Sequence, residues 1–435
     1  MTTATPRTTD TPRGTSGTGH RHGHRTGTAF RTTAAFGLTL LTSLAGQLVW
    51  APQAAADGGQ CTFPAKPFEG RPWSLKRVLL DQLWEESKGA GVKVAVIDTG
   101  VDDDHPQLKD AVDTKLGKNF LPENPKKDRY GDVPERGAEN GTDDTVGHGT
   151  KVAGIIAARP SKDTGFVGLA PEATIIPIQQ NDANGSGTAG TLASAIRYAV
   201  DVGAHVINIS QDTAEALEPD SSLKQAVDYA LAKEVVIVAS AGNDGLGGNV
   251  KETYPASYEG VIAVASSDRN NERAPFSQSG DFVDIAAPGV DMISTVPKGG
   301  HCADNGTSFS APYVAGVAAL LVAEHPEWKP HQIAAQLKQT AERSIPGHDR
   351  HVGWGVIDPV RALTEDDEPI DEPVAREGVG RVEPPTVAKL HLGETPRERN
   401  ERLGTYTVVG GGVLVSVIAG GSLVYRDWRR RRTTG

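Results

Sequence analysis

From Val92 to Leu363 the sequence predicts an α/β domain built on a mostly parallel sheet. Two observations predict it: short continuous runs of Val, Ile and Ala recur along the region, and stretches with helical spacing of apolar residues separate them. A third is the position of its polar residues. Asp98, His148, Asn243 and Ser308 each stand at the end of an apolar run or the start of a helical one, beside glycine or another small residue.

Taken in order, VKVAVIDTG, ATIIPIQQ, HVINIS, EVVIVASAG and GVIAVASS are uninterrupted apolar runs. That is how strands covered on both faces read, because neither face meets water. TLASAIRYAVDVG and SSLKQAVDYALAKE carry helical spacing between the strands, and SFSAPYVAGVAALLVAEH and PHQIAAQLKQTAE follow them. Strands separated by helices of this length imply right-handed crossovers and a sheet with helices on both sides. Ligands and catalytic groups of such sheets gather at the carboxyl ends of the strands. Asp98 ends VAVID, Asn243 follows VIVASAG, and His148 lies in DTVGHGTKVAGIIAA where glycines precede a helix.

Ser308 opens a helix, so its hydroxyl can cap the free backbone N–H groups there. It can also be a nucleophile, provided a base removes its proton during attack. His148 is the candidate base and Asp98 the carboxylate that would fix its tautomer and stabilise its charged form. Asn243 and the Ser308 backbone N–H are candidate donors to a developing oxyanion.

The blocks AVIDTGVDDDHPQL, GHGTKVAGIIAA, SAGND, GTSFSAP and GWGVIDPVRAL, in the order Asp, His, Ser, resemble the subtilisin superfamily over about Lys93 to Leu363. The resemblance implies a three-layer subtilisin-like fold, a serine endopeptidase with Asp98, His148 and Ser308 as its triad and Asn243 in its oxyanion hole, and no cofactor. Ser310 lacks such partners and reads as a helix residue. In layout the chain is similar to the mycosins, the membrane-anchored subtilases of type VII secretion systems. That likeness implies a protein or peptide substrate and a membrane secretion complex as partner, with a scaffold or gating subunit as the alternative. One departure bears on specificity: where many relatives have a Leu-Gly wall, this chain has Ser210-Gln211-Asp212-Thr213.

The remaining segments give the expected organisation. Residues 1–56 read as a signal peptide, with an apolar stretch from Ala34 to Trp50 and cleavage after Ala56; His20, His22 and His24 fall in its basic leader rather than in a metal site. Residues 57–91 form a short extension expected to wrap the domain, 92–364 the peptidase domain, and 365–404 an acidic, Pro-rich linker. Residues 405–425 are uncharged and match the roughly 20 residues of a membrane-spanning helix. Residues 426–435 are a basic tail, which would lie in the cytoplasm with the domain outside. Cys61 and Cys302, both in the exported part, suggest one disulfide. Asp102, Asp103 and Asp104 lack the spacing of a calcium loop and read as a solvated turn, and the polar stretch from Asn119 to Asp144 as a surface loop. No metal is expected. The formal net charge of −11 argues against nucleic acid as a partner.

Overall fold

The computed structural model describes residues 61–123, 136–182, 185, 187–211, 221–248, 252–376 and 396–433. The expected signal peptide, its histidines, and Asp212 and Thr213 lie outside the described residues.

Two short helices, α1 (Trp73–Lys76) and α2 (Leu80–Glu86), precede strand β1 (Lys93–Asp98) and the two-residue β2 (Lys118–Asn119). Next come α3 (His148–Ala157), β3 (Thr174–Gln179), α4 (Ala189–Asp201), β4 (Val206–Ile209), α5 (Ser222–Ala232), β5 (Val236–Ser240), β6 (Val261–Ser267) and β7 (Ile285–Pro288). A hairpin of β8 (Met292–Thr295) and β9 (His301–Asp304) leads into α6 (Thr307–Glu324), α7 (Pro330–Thr340) and α8 (Pro359–Thr364); α9 (Pro396–Thr433) is last. The seven-stranded sheet has the order β2-β3-β1-β4-β5-β6-β7, parallel throughout.

Alternation along β1 divides the core. Val94 and Val96 point into the cluster containing α3 and α6, while Ala95 and Ile97 point into the cluster containing α4 and α5. This gives the three-layer α/β architecture expected of the sequence. Helix α6 is apolar around its whole circumference because it lies in the core, with Val314, Val317, Ala318 and Leu321 fully buried. Its length and composition would suit a membrane, but 78% of it is buried.

From Cys61 to Trp84 the extension is fastened along the domain. Cys61 is joined to Cys302 by a disulfide, with Cα atoms 6.0 Å apart. Ala65 N–H donates to Gly299 O at 3.0 Å, and His301 N–H to Lys66 O at 3.1 Å. Trp73 Nε1 donates to Val290 O and Trp84 Nε1 to Leu169 O, each at 2.9 Å. Leu80 and Leu83 are fully buried. Each such side chain contributes about 1.5–3 kcal/mol by leaving water, so the segment is part of the domain's core.

Two boundaries differ from the sequence pattern. The start of the acidic segment stays on the domain: Asp371 Oδ1 accepts from His331 Nε2 and Gln332 Nε2, each at 3.1 Å, and Val374 N–H donates to Gln339 Oε1 at 2.7 Å. Polar side chains of α7 hold it, which hydropathy does not register. Helix α9 is also longer than its apolar run, because Pro396 can begin a helix and pairs such as Arg397 with Glu401 support its charged ends. Asp102 corrects a third reading. It is buried rather than solvated, and its Oδ2 accepts from Lys298 N–H at 2.8 Å; burial raises its pKa above the ordinary carboxylate value, partly offset by that bond.

Candidate active site

Strand β1 ends beneath the site. Asp98 is 1% exposed, and its carbonyl accepts the N–H groups of Gln180 and Asn181 just beyond neighbouring β3, at 2.8 and 3.1 Å. Its Oδ1 accepts Thr99 N–H at 2.7 Å and lies 2.7 Å from His148 Nδ1. His148 is the first residue of α3, delivered by Gly147 in a left-handed conformation, φ 81°. The following Gly149 permits the contact, since a Cβ there would come within 2.1 Å of Gly100 O.

A second carboxylate braces this pair. Asp144 is buried, and its Oδ1 accepts from Thr99 Oγ1 at 2.8 Å and Gly147 N–H at 2.8 Å. Its Oδ2 accepts from Thr150 N–H at 2.9 Å and Thr150 Oγ1 at 2.6 Å. Thr99 adjoins Asp98 and Thr150 follows His148, so one group ties the two segments together. Burial raises the Asp144 pKa, with the Thr150, Gly147 and Thr99 bonds opposing. For His148, burial opposes the charged form, but the Asp98 charge and hydrogen bond, with a smaller contribution from Asp144, outweigh it and hold the pKa above 6.5.

Ser308 is the second residue of α6, at the end where backbone N–H groups lack intrahelical partners. The following Phe309 packs on the His148 ring with centroids 5.3 Å apart, which brings base and nucleophile segments together. The Ser308 hydroxyl itself donates to Ser210 O at 3.0 Å, not to the imidazole. Asn243, just beyond β5, accepts at Oδ1 from Thr307 N–H at 2.9 Å and Thr307 Oγ1 at 3.1 Å. With its oxygen held, the exposed Asn243 side chain keeps Nδ2 without a hydrogen-bond partner among the described residues. A carboxylate, an imidazole, a hydroxyl and an amide thus converge at the carboxyl ends of β1, β4 and β5, an arrangement suited to acyl transfer.

A model of the Subtilase family matches residues 89–355. The chain belongs to the subtilase family. Thermitase of Thermoactinomyces vulgaris is 37% identical over 296 residues, covering 68% of this chain and 97% of thermitase. Among solved structures, MycP1 with its N-terminal propeptide removed aligns with a TM-score of 0.60 at 34% identity, covering 70% of this chain and 99% of MycP1. The MycP3 protease from the type VII (ESX-3) secretion system aligns with a TM-score of 0.59 at 30% identity, covering 71% of this chain and 99% of MycP3. The chain is a serine endopeptidase of the subtilisin type, structurally close to the mycosins.

Several residues around the subtilase site escape the sequence reading. Asp144, Thr99 and Thr150 do so because a brace has no motif of its own, although an acid four residues ahead of His148 was a signal. Ser310 is fully buried within α6, and its hydroxyl has no partner. One group of metal-type ligands occurs among the described residues: Glu324, His325 and Asp366, with ligand atoms within 4.8 Å of one another. It lies at the opposite end of α6 from Ser308, about 24 Å away at 1.5 Å per residue.

Proposed function

We propose that Asp98, His148 and Ser308 form the triad of this subtilase and that it hydrolyses peptide bonds of a protein substrate through an acyl-enzyme. The observation that carries this is the 2.7 Å Asp98–His148 bond, made through Nδ1, which leaves Nε2 of a ring packed on Phe309, the residue after Ser308, to take a proton. Rotation about the Ser308 χ1 frees its hydroxyl from Ser210. Oγ then attacks the scissile carbonyl while His148 Nε2 takes its proton, and Asp98 stabilises the imidazolium. The oxyanion is met by Asn243 Nδ2 and the Ser308 N–H. His148 returns the proton to the leaving amine, and water repeats the sequence on the acyl-enzyme to release the carboxylate.

The proposed organisation has residues 1–56 as a removed signal, the extension and domain outside, α9 crossing the membrane over 405–425, and the basic tail inside. An 18-residue window of α9 with mean hydropathy 1.9 and no burial supports the anchor. Similarity to MycP1 and MycP3, whose names associate them with type VII secretion, supports a membrane secretion complex as partner. Specificity is not carried over from subtilisins, since Gln211, in place of an apolar wall residue, presents a carboxamide that donates from Nε2 to Gln180 Oε1.

A scaffold or gating subunit is the second reading, favoured by the extension fastened along the domain and by the Ser308 hydroxyl resting on Ser210 O. Ser308→Ala separates the two. Loss of fluorophosphonate labelling and of peptide hydrolysis, with lost secretion at normal protein level, is expected for the enzyme; undiminished labelling would refute the triad. Full restoration of secretion by Ser308→Ala would establish the scaffold.

A further inference from the structure

Lys151 lies one turn after His148 on the same face of α3. Its side chain is 9% exposed, yet it ends in an ion pair, with Nζ 2.8 Å from Asp304 Oδ2. Asp304 ends β9, four residues before Ser308, and its Oδ1 accepts Asn305 N–H at 2.8 Å. Asn305 Oδ1 in turn accepts Asp291 N–H at 2.7 Å. The Lys151 ammonium also stands 6.0 Å from the centre of the Phe309 ring, which packs on His148. A lysine is unfavourable in so buried a position without a partner, and this one bridges the two segments whose separation the chemistry requires.

We propose that Lys151 is a positioning residue: through Asp304 it ties the helix bearing His148 to the loop that delivers Ser308, fixing the distance between base and nucleophile. This rests on the triad reading above. Displacement of about 1 Å at a reacting centre costs about 100-fold in rate, so a lost tie lowers kcat while substrate binding elsewhere, and hence KM, changes little.

A second consequence distinguishes positioning from mere support. Asp98 and Asp144 favour the His148 imidazolium, and the Lys151 cation opposes it. Strands β3 and β8, also packed on α3, bring no titratable side chain. Helix α6 brings Tyr313, whose hydroxyl donates to Ser74 O at 3.1 Å, and Glu324 at its far end. Removing Lys151 therefore favours imidazolium and moves the acid limb of kcat/KM to higher pH.

The test is steady-state kinetics on a fluorogenic peptide across pH for Lys151→Met, Lys151→Arg and Asp304→Asn. Lys151→Met should lose about 10- to 100-fold in kcat with KM little changed and its acid limb displaced upward, and Lys151→Arg should recover both. Asp304→Asn, at a more exposed position that keeps the test open if Lys151→Met does not fold, should lose kcat without the upward displacement. A kcat for Lys151→Met or Asp304→Asn within twofold of wild type overturns the proposal, as does an unmoved acid limb in a folded Lys151→Met. Fluorophosphonate labelling of Ser308→Ala is scored separately: retained labelling there defeats the triad reading itself, whatever Lys151 does.

Discussion

The Ser210 hydroxyl donates to the Ser308 carbonyl at 3.0 Å. That carbonyl is available because Pro312, four residues on in α6, has no N–H to offer it. The Ser210 Oγ also accepts from Asn208 Nδ2 at 2.9 Å, and Asn208 is fully buried. Ser210→Ala therefore strands both the carbonyl and the amide. It should cost about 1–3 kcal/mol of stability, measured by urea unfolding, and should slow Ser308 labelling because the start of α6 loses its stay on β4. An unchanged midpoint would contradict this account.

Asn243 is held by its oxygen, which accepts from Thr307, and in the proposed mechanism its nitrogen is the donor to the oxyanion. Asn243→Ala should lower kcat by about 100- to 1,000-fold, the loss seen when subtilisin gives up its side-chain donor. KM should stay near wild type, since the bond forms only as charge develops. A matching rise in KM instead would make Asn243 a substrate-binding residue.

His148 must be neutral to act as a base, and its pKa is held above 6.5. The acid limb of kcat/KM should therefore lie above pH 6.5 and activity should fall as pH drops through it. The sign for stability is opposite. A raised folded pKa favours the charged form, so the pair's contribution is complete below 6.5 and is lost as pH rises through the folded value. Asp98→Asn removes the charge that contributes most to raising this pKa and should move the limb to lower pH, with kcat down about 10,000-fold. A limb unmoved in Asp98→Asn would mean that another group titrates.

What could be read along the chain followed from periodicity and from residues confined to single loops. The strands around Val94, Ile176, Ile207, Val238 and Val264 are continuous apolar runs, and all are fully buried in the parallel sheet. Asp98 and His148 could be named as candidate partners from their places at a strand end and a helix start, and the family resemblance strengthened the pairing across the fifty residues and loop that separate them. Asp144, Thr99 and Thr150 could not be ranked, because a buried acid with many donors looks like any other acid in GTDDTVGHGT. Lys151 and Asp304 were invisible for a further reason: an ion pair between positions 153 residues apart leaves no local pattern. The buried Asp102 misled in the opposite direction, as three adjacent acids suggest water when the partner is the backbone of Lys298.

The extension carries a last consequence for acid stability. His301, beside the disulfide at Cys302, accepts Phe68 N–H at Nδ1, 3.1 Å, and donates from Nε2 to Gln107 Oε1, 2.8 Å. The tautomer is fixed because Gln107 Nε2 already donates to Arg159 O and Phe166 O, leaving its oxygen as acceptor. Protonating Nδ1 therefore breaks the bond to the extension. Burial, with the nearby His105, pushes the His301 pKa down from 6.5 to about 4. Between those values the unfolded chain binds more protons than the folded one, so stability declines as pH falls from 6.5 to about 4. The loss approaches about 3 kcal/mol at 1.36 kcal/mol per pH unit of difference. His301→Asn offers an acceptor and cannot titrate, so its unfolding midpoint should vary less with pH across this window. Emission from Trp73 and Trp84 should report loosening of the extension first in the wild type, since the disulfide keeps it tethered. If His301→Asn tracks the wild type across the window, the acid sensitivity belongs to another group, with His105, whose pKa burial also lowers, next in line.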